Sequence, residues 1–207
     1  MDDASGPTAY LTVFMDYICP FCFIGALRLE RLRREMRLRI HWQLLEIHPD
    51  IPASGRPVAD IGYAPEQWRA MMTSLEAMAE EEGVDLARRE RTANSHDALL
   101  LAESAKDDGA AAFYPLHRRL FRAYFVEGRD LGDRATLNEL ARQAGVPAAT
   151  RERAWSDGSY EHRLQKNLAT ARKAGITGTP TILVGNRRLE GALPLDHLRA
   201  AAREAAG

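Results

Sequence analysis

Cys19 and Cys22 are the only cysteines in the 207-residue chain; they stand three positions apart, and the sequence changes character on either side of them. Ahead of the pair, Tyr10 to Met15 (YLTVFM) is apolar and rich in β-formers, the pattern of a short buried strand. Behind it, Phe23, Leu27, Leu29 and Leu32 interleave with Arg28, Arg31, Arg33 and Arg34 at helical spacing. Pro20 suits a first helical turn, where its missing N–H costs nothing. The pair therefore opens a helix that follows directly on a buried strand.

That placement has chemical consequences. The free N–H groups of a first turn and the positive end of the helix dipole favour an anion. Cys-x-x-Cys pairs so placed have thiol pKa values of roughly 3.5 to 7, against about 8.5 for free cysteine. Cys19, at the edge of the turn, gains most; Cys22, one turn further in, is expected to be less accessible. Cys19 is then the attacking sulfur and Cys22 the resolving one. A structural zinc site would need two further ligands, and none of the six histidines forms a closely spaced pair. A permanent disulfide is disfavoured in a reducing compartment. An inert buried pair is the bland alternative.

The compartment expected is the cytoplasm. The chain starts acidic, without the basic stretch and apolar core of a secretory signal, and no apolar run approaches the ~18 residues a membrane helix needs. A formal net charge of −1 gives no reason to expect nucleic acid or an anionic membrane as partner.

Further along, Leu38 to Ile47 reads as a second strand, and Pro49 to Pro65, with four prolines, as a loop. From about Pro65 to Gly175 the periodicity is helical, punctuated at Gly83, Gly109, Gly128 and Gly145. Trp68, Met71, Met72, Leu75 and Met78 form one stripe, read as core packing in preference to a soft substrate groove. Trp68, Trp155 and the set Phe113, Tyr114, Phe121, Tyr124 and Phe125 are expected in the core or on the surface of a homodimer. Strands return at Pro180–Val184 and Arg187–Glu190 around a Gly185-Asn186 turn, and a last helix runs to about Ala205. The first strand–helix–strand unit implies parallel pairing through a right-handed crossover; the last two strands imply a hairpin. Gly178-Thr179-Pro180 puts a proline at the first residue of a strand, where no ladder hydrogen bond is lost.

In Asp16 to Gly25 (DYICPFCFIG), Asn94 to Ala98 (NSHDA), Leu120 to Asp133 (LFRAYFVEGRDLGD) and Gly175 to Leu183 (GITGTPTIL) the chain resembles the DsbA family of the thioredoxin superfamily. More narrowly, it is similar to the cytoplasmic FrnE-like branch. The resemblance implies an α/β, thioredoxin-like fold carrying a large all-helical insertion domain, with residues 8–55 and 165–205 forming the first and 56–164 the second. It implies a thiol–disulfide oxidoreductase that needs no bound cofactor and acts on a protein or small-molecule disulfide or dithiol. It also implies a cis Thr179–Pro180 bond facing Cys19, beside which an extended substrate segment pairs with exposed backbone. Pro20-Phe21 between the cysteines is closer to the oxidant-like branch than to thioredoxin-like reductants.

A sister branch shares the architecture: the 2-hydroxychromene-2-carboxylate isomerases and kappa-class glutathione transferases. It uses a serine in place of the first cysteine to hold glutathione, which would be the partner on that reading. The Gly-x-Asp-Arg element of that branch corresponds here to Gly191-Ala192-Leu193-Pro194, without the acid or the arginine. Three further residues are candidates near the site. Glu46 is a candidate proton carrier for Cys22, with a strand-end surface charge as the plainer expectation. Asn94 and His96 are candidate cleft residues, with helix capping by Asn94 or Ser95 as the plainer one.

Overall fold

A computed structural model describes residues 7–207; the acidic Asp2 and Asp3 lie outside the described residues. The apolar run forms β1 (Ala9–Met15), and the arginine-rich amphipathic segment forms α1 (Pro20–Glu35) with Pro20 in its first turn. β2 (Leu38–Leu44) lies parallel to β1, from Ala9↔Leu38 to Met15↔Leu44. After a long helical excursion the chain returns as β5 (Thr181–Val184) and β6 (Arg187–Glu190), a hairpin that joins β1 antiparallel, and ends in α8 (Leu195–Ala206). The sheet order is β2-β1-β5-β6. This is the expected α/β, thioredoxin-like arrangement, with one parallel crossover and one hairpin.

Between β2 and β5 lie α2 (Pro65–Glu81), α3 (His96–Asp107), α4 (Ala110–Phe125), α5 (Arg134–Gln143), α6 (Ala148–Arg153) and α7 (Gly158–Lys173). Gly83 (φ +66°) and Gly145 (φ +77°) follow helix ends in the left-handed region that glycine adopts without a Cβ clash. Two expectations need correction. The second strand stops at Leu44, not Ile47, because the Asp16 carboxylate draws the chain aside by accepting the Ile47 N–H at 2.9 Å. The proline-rich segment is not all loop. Arg56–Pro57 (β3) pairs with Arg91–Thr92 (β4), and Val58–Ile61 forms a 3₁₀ turn. A two-residue ladder leaves no periodicity for a sequence to display.

α8 packs on β1 and α1. The excursion does not stand apart from the sheet: Val13 and Met15 of β1, Phe23 and Leu32 of α1, and Leu101, Leu120 and Phe121 of α3 and α4 belong to one continuous buried cluster. The outer edge of β2 is covered by side chains. Lys106 Nζ donates to Trp42 O (2.9 Å) and Asn167 Nδ2 to Leu44 O (3.1 Å), and both also hold the fully buried Glu103 carboxylate. The C-terminal end of this strand edge is thereby closed to pairing with another chain. No helix among the described residues is long and apolar enough to cross a membrane.

Candidate active site

Cys19 is the N-cap of α1, in extended conformation (φ −81°, ψ 115°), and its Sγ accepts the Cys22 N–H at 3.4 Å. The capping role usually taken by a serine or aspartate oxygen is here filled by sulfur. On its other side the Cys19 thiol donates to Thr179 O at 3.4 Å, which joins the helix start to the loop before β5. The Thr179–Pro180 peptide bond is cis. Pro180 is buried against α1, so close that a methyl group on Gly25 would lie 3.5 Å from its ring. Both cysteines are unpaired thiols, 5% and 2% exposed.

The two sulfurs differ electrostatically. Burial pushes the Cys19 thiol up, but hydrogen bonds to its ionised form from the Cys22 thiol, the Thr179 side chain and the Cys22 amide outweigh this, and its pKa falls below the ordinary value. Cys22 moves the opposite way: burial, and its position as donor to an ionised Cys19, push its thiol well up. One sulfur is thus set to ionise and its neighbour to hold a proton.

Beneath the pair lies a carboxylate that sequence reasoning did not single out. Asp16 is fully buried at the end of β1 and accepts from Ile18 N (3.3 Å), Ile47 N (2.9 Å) and Ser95 Oγ (3.0 Å). Burial drives its pKa up to about 7 against the opposing pull of these three donors, and its charge resists ionisation of Cys19.

Glu46, the expected candidate carboxylate, lies near the surface of a cleft instead. Its side chain is 19% exposed and meets His96 Nδ1 at 3.0 Å, while His96 Nε2 meets Glu161 at 3.0 Å. The hydrogen bond to Glu46, with the charge of Glu161 adding to it, raises the His96 pKa against partial burial. Asn94 acts locally: Oδ1 accepts the His96 N–H (2.8 Å) and Nδ2 donates to Ile51 O (2.6 Å). Asn94 and His96 brace the loops after β2 and before α3, and neither lines the cleft.

The cleft, about 1500 Å³, has Cys19, Pro20, Phe21 and Thr179 in its lining. The same cleft is lined by Trp68, Met71, Met72 and Leu75 of α2. The methionine stripe, expected as core, is therefore largely a cleft wall. Helical periodicity reports which face is apolar, not what covers it. Of the aromatic set, Phe121 and Phe125 pack on Phe23 beneath the cysteine helix. Among the described residues no group of three His, Cys, Asp or Glu could hold a metal.

The family model described as "DSBA-like thioredoxin domain" matches residues 10–203. A Bacillus subtilis protein, "Uncharacterized protein YwbO", is 28% identical over 192 residues, covering 91% of this chain and 93% of that one. The solved structure of a "probable DsbA oxidoreductase" from Streptomyces coelicolor superposes with a TM-score of 0.81 at 25% identity, covering 95% of this chain and 89% of that one. A 2-hydroxychromene-2-carboxylate isomerase shares the fold, with a TM-score of 0.73 at 17% identity over 94% and 95% of the two chains. The chain belongs to the DsbA-like thioredoxin domain family.

Proposed function

We propose that this protein is a thiol–disulfide oxidoreductase in which Cys19 attacks and Cys22 resolves. The observation that carries the reading is geometric: the Cys19 sulfur caps the start of α1, accepting the Cys22 N–H at 3.4 Å, and faces Thr179 beside the cis Thr179–Pro180 bond; the lowered Cys19 pKa and raised Cys22 pKa agree with it. In the reductive direction the Cys19 thiolate forms a bond to one sulfur of a substrate disulfide. The substrate S–S bond breaks, and the departing thiolate takes up a proton. Cys22 then loses its proton and attacks the Cys19 sulfur, releasing the second substrate thiol and leaving a Cys19–Cys22 disulfide. Two electrons pass from the protein dithiol to the substrate; the oxidative direction runs the same steps backwards. The reading assigns Pro20 and Phe21 to shaping the helix start, and Thr179 and Pro180 to the surface facing the sulfur. Membership of the DsbA-like family supports it, as does the likeness to the Streptomyces protein. The proposed compartment is the cytoplasm.

Trapping tests the assignment. Cys22→Ala leaves the attacking thiol without its resolving partner, so mixed disulfides on Cys19 accumulate and are seen by mass spectrometry with a model disulfide. Their absence, or their formation on a Cys19→Ser protein through Cys22, contradicts the roles. The glutathione-dependent isomerase reading makes a different demand, since Cys19→Ser would then retain substantial activity.

A further inference from the structure

Cys19 is only 5% exposed, and what exposure it has opens into the cleft. A disulfide on the convex surface of a folded protein does not reach a sulfur set back in this way; a small molecule does. The cleft is larger than the roughly 300–1,000 Å³ that houses a drug-sized ligand, so both halves of a small disulfide fit within it. The α2 wall of the cleft presents adaptable apolar side chains beside Glu76 and Glu80. Trp68, Met71 and Met72 stand half-buried and line the cleft, and Tyr63 packs beside Trp68 with ring centroids 6.1 Å apart. Thioether side chains follow the outline of varied apolar groups.

We infer that the cleft selects low-molecular-weight disulfides bearing a bulky apolar or aromatic substituent, which lies along Trp68, Met71 and Met72 while its disulfide meets Cys19. The inference rests on the thiol–disulfide reading above and names its substrate class. One substrate S–S bond is exchanged for the Cys19–Cys22 bond, giving two substrate thiols. Between turnovers the protein disulfide is reduced again by an external dithiol.

Single-turnover stopped flow tests this without that dithiol. Reduced protein is mixed with dibenzyl disulfide, with bis(2-hydroxyethyl) disulfide, or with insulin. Each rate constant is divided by that of the same disulfide with free dithiothreitol, which removes intrinsic reactivity. The expected result is a benzyl preference of about tenfold or more over hydroxyethyl, the size that burying such a group supplies, with insulin the slowest. Trp68→Ala brings the preference towards one, and Trp68→Phe restores most of it. A preference near one in the natural protein, a preference untouched by Trp68→Ala, or insulin outpacing the benzyl compound overturns the inference while leaving the redox reading intact. If none of the three disulfides oxidises the protein, the redox reading itself fails.

Discussion

Arg28 Nε donates to Glu82 Oε1 at 2.8 Å, with the two side chains only 2% and 5% exposed, so the cysteine-bearing helix is tied to the end of α2 by an ion pair out of reach of water. The same guanidinium donates to Ala192 O (2.9 Å) and Leu193 O (3.1 Å) in the turn before α8, and meets Glu81 at 2.8 Å. α2 lines the same cleft as Cys19, so Arg28, together with Arg31 on the same Glu82 carboxylate, ties the cysteine-bearing helix to that wall. Arg28→Met leaves Glu82 to Arg31 alone, whose Nη1 donates to it at 3.0 Å, and strands the Ala192 and Leu193 carbonyls, so an expected loss of about 2–4 kcal/mol in urea unfolding follows from two unsatisfied buried acceptors. Arg28→Lys recovers only part, because an ammonium does not match the fork geometry. A loss under about 1 kcal/mol for Arg28→Met would show that the cluster is not a clamp.

Asp16 makes stability depend on pH in the sense opposite to most carboxylates. Its folded pKa, about 7, lies above the unfolded value. The folded state therefore holds the proton more tightly, and the stabilisation is complete below about pH 4 and lost as pH rises through 7. The shift corresponds to at most about 4 kcal/mol. Relative to Asp16→Asn, the natural protein should be most favoured at pH 4.5 and should lose ground by pH 8. A difference that does not vary with pH would remove the buried acid from the account. Removing the charge should also lower the Cys19 pKa, since Asp16 opposes its ionisation.

His117 carries the reverse dependence. It is buried among Tyr17, Trp42, Phe113 and Phe121, pairs its Nδ1 with Tyr17 Oη at 3.0 Å, and finds no partner for Nε2 among the described residues. Burial, with the charges of Arg118 and Arg33, lowers its pKa to about 3. Its contribution is present above about pH 6.5 and lost as pH falls towards 3, at most about 5 kcal/mol. His117→Gln should be less acid-sensitive than the natural protein in unfolding titrations between pH 7 and 4. Equal sensitivity would mean that His117 titrates normally.

The parts of this site that sequence displays are those with a pattern. The cysteine spacing, the proline in the first turn, and the apolar run ahead of them carry the βα unit and the thiol pair on a dozen residues. The Gly-Thr-Pro before an apolar strand marks the facing loop. Asp16 has no such pattern: a single acid at a strand end reads as surface until the chain closes over it with Ser95 and Ile47, 79 and 31 residues away. Glu46 lies partly exposed at the cleft, nearer the plainer expectation of a strand-end charge than a buried carboxylate, since the strand that would have carried it inward ends at Leu44. Met71 and Met72 kept the right helix and the right apolar face, but what lies across from them is cleft. That fact depends on where α2 is held, and so on Arg28.

The most direct test is a thiolate titration of the reduced protein by absorbance at 240 nm. A midpoint below the ~8.5 of free cysteine, absent in Cys19→Ser and shifted upward in Cys22→Ala as the inner thiol's hydrogen bond is lost, is the result predicted. A Cys19 midpoint at or above that of free cysteine would contradict the account at its root.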